Sequence, residues 1–99
     1  MTDQDILQYY LLPDLERRNA NADLRNYLLN LIISAKKRIT SEGITLDLND
    51  EDDCMTVSMY AAYMYRYRAR PDNPMPRMIR LRLNDRLWDE KMRPEVDDG

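Results

Sequence analysis

Apolar residues recur at helical spacing along most of the chain. The clearest case is Leu24, Tyr27, Leu28, Leu31, Ile32, Ala35 and Ile39, at i, i+3, i+4, i+7, i+8, i+11 and i+15, the stripe of a helix with one core-facing side. Asn21 or Asp23 can cap its start. Lys36, Lys37 and Arg38 sit near its C-terminal end, where the helix dipole favours cations, and Gly43 supplies a left-handed stop. Leu29 and Ile33 lie off this stripe, so the helix is expected to meet a second partner, which another subunit can supply.

The stretch from Cys54 to Arg68 has no proline or glycine, and it is apolar almost all the way round. Met55, Met59, Tyr63 and Tyr67 fall along one side, with Val57, Tyr60, Ala61 and Met64 beside them. Such a helix is buried against several neighbours, and this one is expected to be the centre of the fold. The run Asn49-Asp50-Glu51-Asp52-Asp53 places caps and negative charge at its start, as the dipole prefers. Calcium is the other use of such a cluster, but the spacing and glycine of a calcium loop are missing, so capping is favoured.

Three shorter pieces complete the pattern. Thr2-Asp3-Gln4-Asp5 offers a capping hydroxyl and first-turn acids before Ile6, Leu7, Tyr10 and Leu11, and Pro13 is expected to end or kink that helix. Ile44-Thr45-Leu46-Asp47-Leu48 alternates like a strand, but no second alternating run exists to pair with it. It is therefore read as an extended loop pinned by its three apolar side chains. Arg70-Pro71-Asp72-Asn73-Pro74-Met75-Pro76 forms a stiff hinge. Asn73 is placed to cap a last helix over residues 75–92, with Pro74 or Pro76 in its first turn and Pro94 as its stop. The expected fold is all-α: a compact bundle of about four helices, two long, one short and N-terminal, and one C-terminal after the Pro-rich hinge. Residues 1–93 form one domain and residues 94–99 a short acidic flexible tail.

Composition narrows the class without naming a chemistry. The chain has 99 residues, 43% hydrophobic and 33% charged, enough for one modest core. Its apolar runs are far short of the ~20 residues of a membrane span, and an acidic N-terminus replaces the basic start of a signal peptide. A single cysteine, Cys54, cannot staple the fold and fits a small buried hydrophobe in a reducing cytoplasm. The net charge of −3 hides an asymmetry. Residues 1–65 carry six basic and eleven acidic side chains, residues 66–93 nine basic and four acidic, and residues 94–99 three acidic. Zones of opposite sign suit head-to-tail self-association or docking on an acidic partner.

The candidate chemistry is thin. With no histidine, the commonest general base and zinc ligand is missing, and Cys54 has no histidine to activate it. The two glycines, Gly43 and Gly99, cannot build a phosphate loop. The expectation is a non-enzyme with no cofactor and no metal. Arg66, Arg68, Arg70, Arg77, Arg80, Arg82 and Arg86, with Tyr65 and Tyr67 among them, could contact phosphates and stack on bases. The acidic whole chain, with pI near 4.9, and acids at Asp72, Asp85, Asp89 and Glu90 point instead to protein contact. Trp88, with Met92 and Arg93, either closes the core or anchors another protein.

Ala61-Ala62-Tyr63-Met64-Tyr65, an arginine-containing turn and then Met75-Pro76-Arg77-Met78-Ile79-Arg80-Leu81-Arg82-Leu83-Asn84-Asp85-Arg86-Leu87 resemble the C-terminal half of the small helical head–tail connector (adaptor, head-completion) proteins of tailed bacteriophages and prophages. The order of parts resembles theirs from about Asp3 to Met92. The resemblance implies a non-enzymatic helical adaptor that forms a ring, of about a dozen subunits, under the portal protein. The ring extends the DNA channel, passes DNA without sequence-specific binding, and receives the next tail-completion protein. It implies assembly in the bacterial host cytoplasm and residence at the head–tail junction of the virion, with no membrane partner. By the same analogy Leu87, Trp88, Lys91, Met92 and Arg93 are candidates for docking on the portal. Asp50, Glu51, Asp52 and Asp53 are candidates for an acidic channel lining.

A closed ring needs two different complementary patches per subunit. Candidates for the contacts between subunits are Leu29 and Ile33, together with Tyr65, Arg66, Tyr67, Arg68 and Arg70. The competing readings are a small helical DNA-binding or regulatory protein using the zone from Arg66 to Arg86, and an assembly chaperone that leaves the finished particle.

Overall fold

The computed structural model describes residues 1–70 and 72–92, and among these the protein is all-α. Helix α1 covers residues 3–14 and is α-helical over Asp3–Ile6, π-helical over Leu7–Leu11 and α-helical again over Leu12–Asp14. It is followed by α2 (Ala22–Ser41), α3 (Glu51–Arg66) and α4 (Arg77–Met92). The central helix is α3, which packs against α1, α2 and α4.

Local chemistry explains each boundary. The Thr2 hydroxyl accepts from the Asp5 N–H at 3.2 Å, and the Asp5 carboxylate accepts from the Thr2 N–H at 3.0 Å, so two orphan donors of the helix start satisfy each other's residues. That carboxylate is held below the ordinary range, first by the hydrogen bond from the Thr2 backbone. Pro13 does not end α1, which runs one residue past it. The turn before Pro13 widens instead, and the Leu12 N–H donates to Leu7 O, five residues back. A wider turn draws the carbonyl four residues back away from the proline ring, which would strike it in a regular helix. The helix closes with the Arg17 N–H on Leu12 O (2.9 Å) and the Glu16 N–H on Pro13 O (3.1 Å), and Glu16 takes the left-handed position at φ 57°.

Asn21, not Asp23, caps α2, accepting from the Leu24 N–H at 2.9 Å. Gly43 ends it at φ 104°, as expected from the sequence. Residues 44–47 form an extended loop whose Ile44 is buried, with Leu46 and Leu48 packed on the core. Asp50 caps α3 by accepting from the Asp52 N–H at 3.0 Å. The last helix starts at Arg77, two residues later than the sequence suggests. The carbonyl of Pro76 opens it, accepting from Ile79 and Arg80. Asn73 therefore does not cap it; its own carbonyl accepts from the Tyr63 hydroxyl at 3.0 Å and ties the hinge to α3. Pro71 and residues 93–99, including the Pro94 stop and the acidic tail, lie outside the described residues.

The core is one cluster drawn from all four helices. It includes Ile6, Leu11 and Leu12 of α1, Leu28, Ile32 and Ile39 of α2, Val57 and Ala61 of α3, and Leu83 of α4. Each such Ile or Leu contributes roughly 1.5–3 kcal/mol by leaving water. The stripe of Met55, Met59, Tyr63 and Tyr67 is not the deepest side of α3. The buried side is Cys54, Val57 and Ala61 with Thr56, Ser58, Tyr60 and Ala62, while Met55 is 42% exposed and Met59, Tyr63 and Tyr67 are half-buried. Two small side chains, Ala61 and Ser58, let neighbouring helices approach where the long methionines cannot.

Candidate interaction surfaces

The seam between α3 and α4 is held by arginines that reach back from the last helix. Arg86 donates through Nε to Asp53 Oδ1 at 2.9 Å and through Nη1 to Glu90 Oε2 at 3.1 Å. The second oxygen of Asp53 accepts the Asp47 N–H at 2.8 Å, and Glu90 accepts the Thr45 N–H at 3.0 Å. The node thus joins both helices to the extended loop. Its hydrogen bonds to Asp53, then to Glu90, push the Arg86 guanidinium further into its charged form against the opposing effect of burial. Asp53 is only 2% exposed, so it cannot line a channel: a buried carboxylate needs its charge matched, and Arg86 does that. Asp50, Glu51 and Asp52 remain exposed on the surface at this end of α3.

The basic zone divides by function. Arg80 pairs with Glu42 at 2.5 Å, which pins α4 to the end of α2. Arg82 donates to Thr56 Oγ1 at 3.2 Å and to Asp52 O at 3.3 Å, and Arg86 is held as described. These three are structural, which removes three of the four arginines expected to contact phosphates on the last helix, leaving Arg77. Arg66 pairs with Asp14 at 3.2 Å across to α1, both about half exposed. Arg68 lies 4.0 Å over the Tyr65 ring and donates to Tyr65 O. Tyr65 in turn meets Tyr27 of α2 edge-on at 6.2 Å, and Tyr63 and Tyr67 are 5.6 Å apart. Arg68 and Arg70 enter no ion pair among the described residues. They share a concavity of about 210 Å3 with Arg38, Tyr63, Met64 and Tyr67.

The outer side of α4 gathers four of the large apolar side chains that are exposed among the described residues. Met78 (65% exposed), Leu81 (49%), Trp88 (63%) and Met92 (63%) fall at i, i+3, i+10 and i+14 with Asp85 between them. They form a stripe opposite the core-facing Ile79 and Leu83. Met78 also borders a concavity of about 230 Å3 that includes Met59, Tyr63, Arg66 and Ile79. A volume below the 300–1,000 Å3 of small-ligand sites suits one protein side chain.

Of the portal-docking candidates, Trp88, Lys91 and Met92 are exposed, and the tryptophan does not close the core. Leu87 is less available than these three. It is half-buried against the core, with its Cδ2 lying 3.8 Å from where a Cβ on Gly43 would stand. Arg93 lies outside the described residues. Among the subunit-contact candidates, Ile33 is 37% exposed, whereas Leu29 packs on the protein's own core. Reasoning from sequence missed Met78 and Leu81 as parts of an outward stripe, although their 3-and-4 spacing with Trp88 and Met92 is a usable signal. It also missed Arg38, which only the crossing of α2 over α3 brings to Arg68 and Arg70.

Cys54 is buried, donates weakly to Leu48 O at 3.2 Å, and has its thiol pushed up chiefly by burial. No helix among the described residues is long and apolar enough to cross a membrane. The chain matches no protein-family model, no curated protein and no solved structure compared with it.

Proposed function

We propose that the chain is a structural head–tail connector subunit that assembles as a ring under a phage portal, extends the DNA channel and joins head to tail. The observation that carries this reading is the outward stripe of α4. Four large apolar side chains, one of them a tryptophan, face solvent on a helix whose opposite side buries Ile79 and Leu83. An exposed apolar stripe that includes a tryptophan marks an interaction surface. The ordered parts quoted above, from the first helix to the proline–methionine–arginine junction, supply the family direction. The internal commitment of Arg80, Arg82 and Arg86 speaks against duplex binding as the main role.

Binding to the portal protein tests the stripe. Leu81→Ala and Trp88→Ala, both on exposed positions, are expected to weaken portal binding by tenfold or more, the loss typical of a central anchor, with helical content unchanged. Binding equal to wild type in both variants contradicts the assignment. Mass spectrometry of purified particles separates a resident connector, found in the virion, from an assembly chaperone, which is not.

A further inference from the structure

We propose that the seam between α3 and α4 docks an amphipathic helix of a different protein, one that carries an apolar side chain and a lysine or arginine seven residues apart. This deepens the connector reading and rests on it, since it states the chemistry of the helix that the portal presents. Met78, Leu81, Asp85, Trp88 and Met92 are spaced by 3, 4, 3 and 4 residues, the repeat of a helix that packs along another helix. All five are exposed. Two hollows open where this stripe meets α3. The first, about 230 Å3, is bordered by Met59 and Tyr63 of α3 and by Met78 of α4. The second, about 210 Å3, is bordered by Asp52 and Thr56 of α3 and by Asp85 and Asp89 of α4. Arg82, between Met78 and Asp85 in sequence, crosses the seam to Thr56 Oγ1 and Asp52 O.

The two hollows ask for different side chains. The first presents methionine and tyrosine, and the Asp14 and Arg66 at its edge pair with each other, so it suits an apolar group. The second has four carboxylates, Asp52, Asp53, Asp85 and Asp89, against two guanidiniums, Arg82 and Arg86. Arg86 is matched by Asp53, whereas Asp52, Asp85 and Asp89 enter no ion pair among the described residues. Other surface acids are unpaired too; these share a hollow beside an apolar stripe, and it favours a cation. Met78 and Asp85 stand two helical turns apart, ~10.5 Å at 1.5 Å per residue. A helix laid along α4 reaches both hollows with side chains that are themselves seven apart. That spacing also decides whose helix it is. Among the described residues, no exposed large apolar side chain has a lysine or arginine seven places before or after it. A second copy of α4 laid parallel would also set Asp85 against Asp85. The occupant is therefore a helix of another protein.

The test uses the full chain and a fluorescent helical peptide with leucine at its a and d positions and lysine at the central a position. A leucine then stands seven places to either side of the lysine, so both orientations offer the pair. The expected result is saturable binding that weakens at least tenfold when glutamate replaces the lysine. The preference is expected to reverse in the chain carrying Asp85→Lys with Asp89→Lys, and Met78→Ala to weaken both peptides alike. Circular dichroism confirms that these exposed substitutions leave the helices intact. No binding, equal binding of the two peptides, or a preference unchanged by the charge reversal overturns the proposal. So does self-association of the chain that Trp88→Ala abolishes, because a second copy then covers the stripe. Imaging of the wild type on its portal reads the connector proposal separately. A portal-bound ring without the lysine preference removes this inference alone; the lysine preference without portal binding removes the connector reading alone.

Discussion

Asp53 shows how much one residue's surroundings decide. In the sequence it is the last of an acidic run and reads as surface charge; in the fold it is buried and grips Arg86, with the Asp47 N–H on its other oxygen. Arg86→Ala leaves that carboxylate without its cation and is expected to cost on the order of 3 kcal/mol, read as a shift in the urea midpoint. A cost below ~0.5 kcal/mol, the scale of ordinary surface changes, would show that the node is not structural. Glu16 gives a prediction of opposite sign. It stands at φ 57° in the turn that closes α1, and Glu16→Gly is expected to stabilise by roughly 0.5–1 kcal/mol, because glycine takes that conformation without a Cβ penalty. Asp5 sets a pH dependence. Its folded-state value is lowered by the Thr2 hydrogen bond, so its contribution is complete above the ordinary carboxylate value of about 3.9 and is lost as pH falls through the lower folded value. Asp5→Asn should therefore separate from wild type near neutral pH and converge with it in acid. Parallel stability–pH curves would contradict the capping box.

At the scale of elements, periodicity carried most of the fold. The repeat from Leu24 to Ile39 defined α2, with Asn21 and Gly43 at its ends, because a one-sided helix writes its own register. Two pieces were less legible for physical reasons. A proline within a helix ends it in some settings and is bypassed in others; here the π-turn over Leu7–Leu11 makes room for Pro13, and that choice is not written in the proline alone. On α4 the arginines hide the pattern. Arg82 and Arg86 face inward to partners while Met78 and Trp88 face outward, the reverse of what polarity alone suggests. The two sides of α4 should separate in experiment. Leu83→Ala, on the side facing α3, is expected to cost about 2–4 kcal/mol, whereas Trp88→Ala should leave stability within ~0.5 kcal/mol. Comparable costs would mean that the outer stripe is packed within the protein.

At the scale of the whole molecule, the surfaces differ in kind and position. An apolar stripe runs along α4, arginines with no ion pair among the described residues sit at the end of α3, and exposed acids cap its start. The bundle and its helix ends were readable from spacing and capping. The division of the arginines into internal ties and free cations was not, since it depends on which carboxylates the crossing helices bring within reach. Distinct patches on one small subunit are the requirement for a heterologous assembly, and they leave a monomer with apolar surface it does not use. The most direct measurement is electron microscopy of the wild-type chain mixed with its portal, with light scattering for the mass in solution. The account predicts a closed ring of copies on the portal, whether the chain alone is monomeric or already assembled. A chain that remains monomeric and never binds the portal would contradict it.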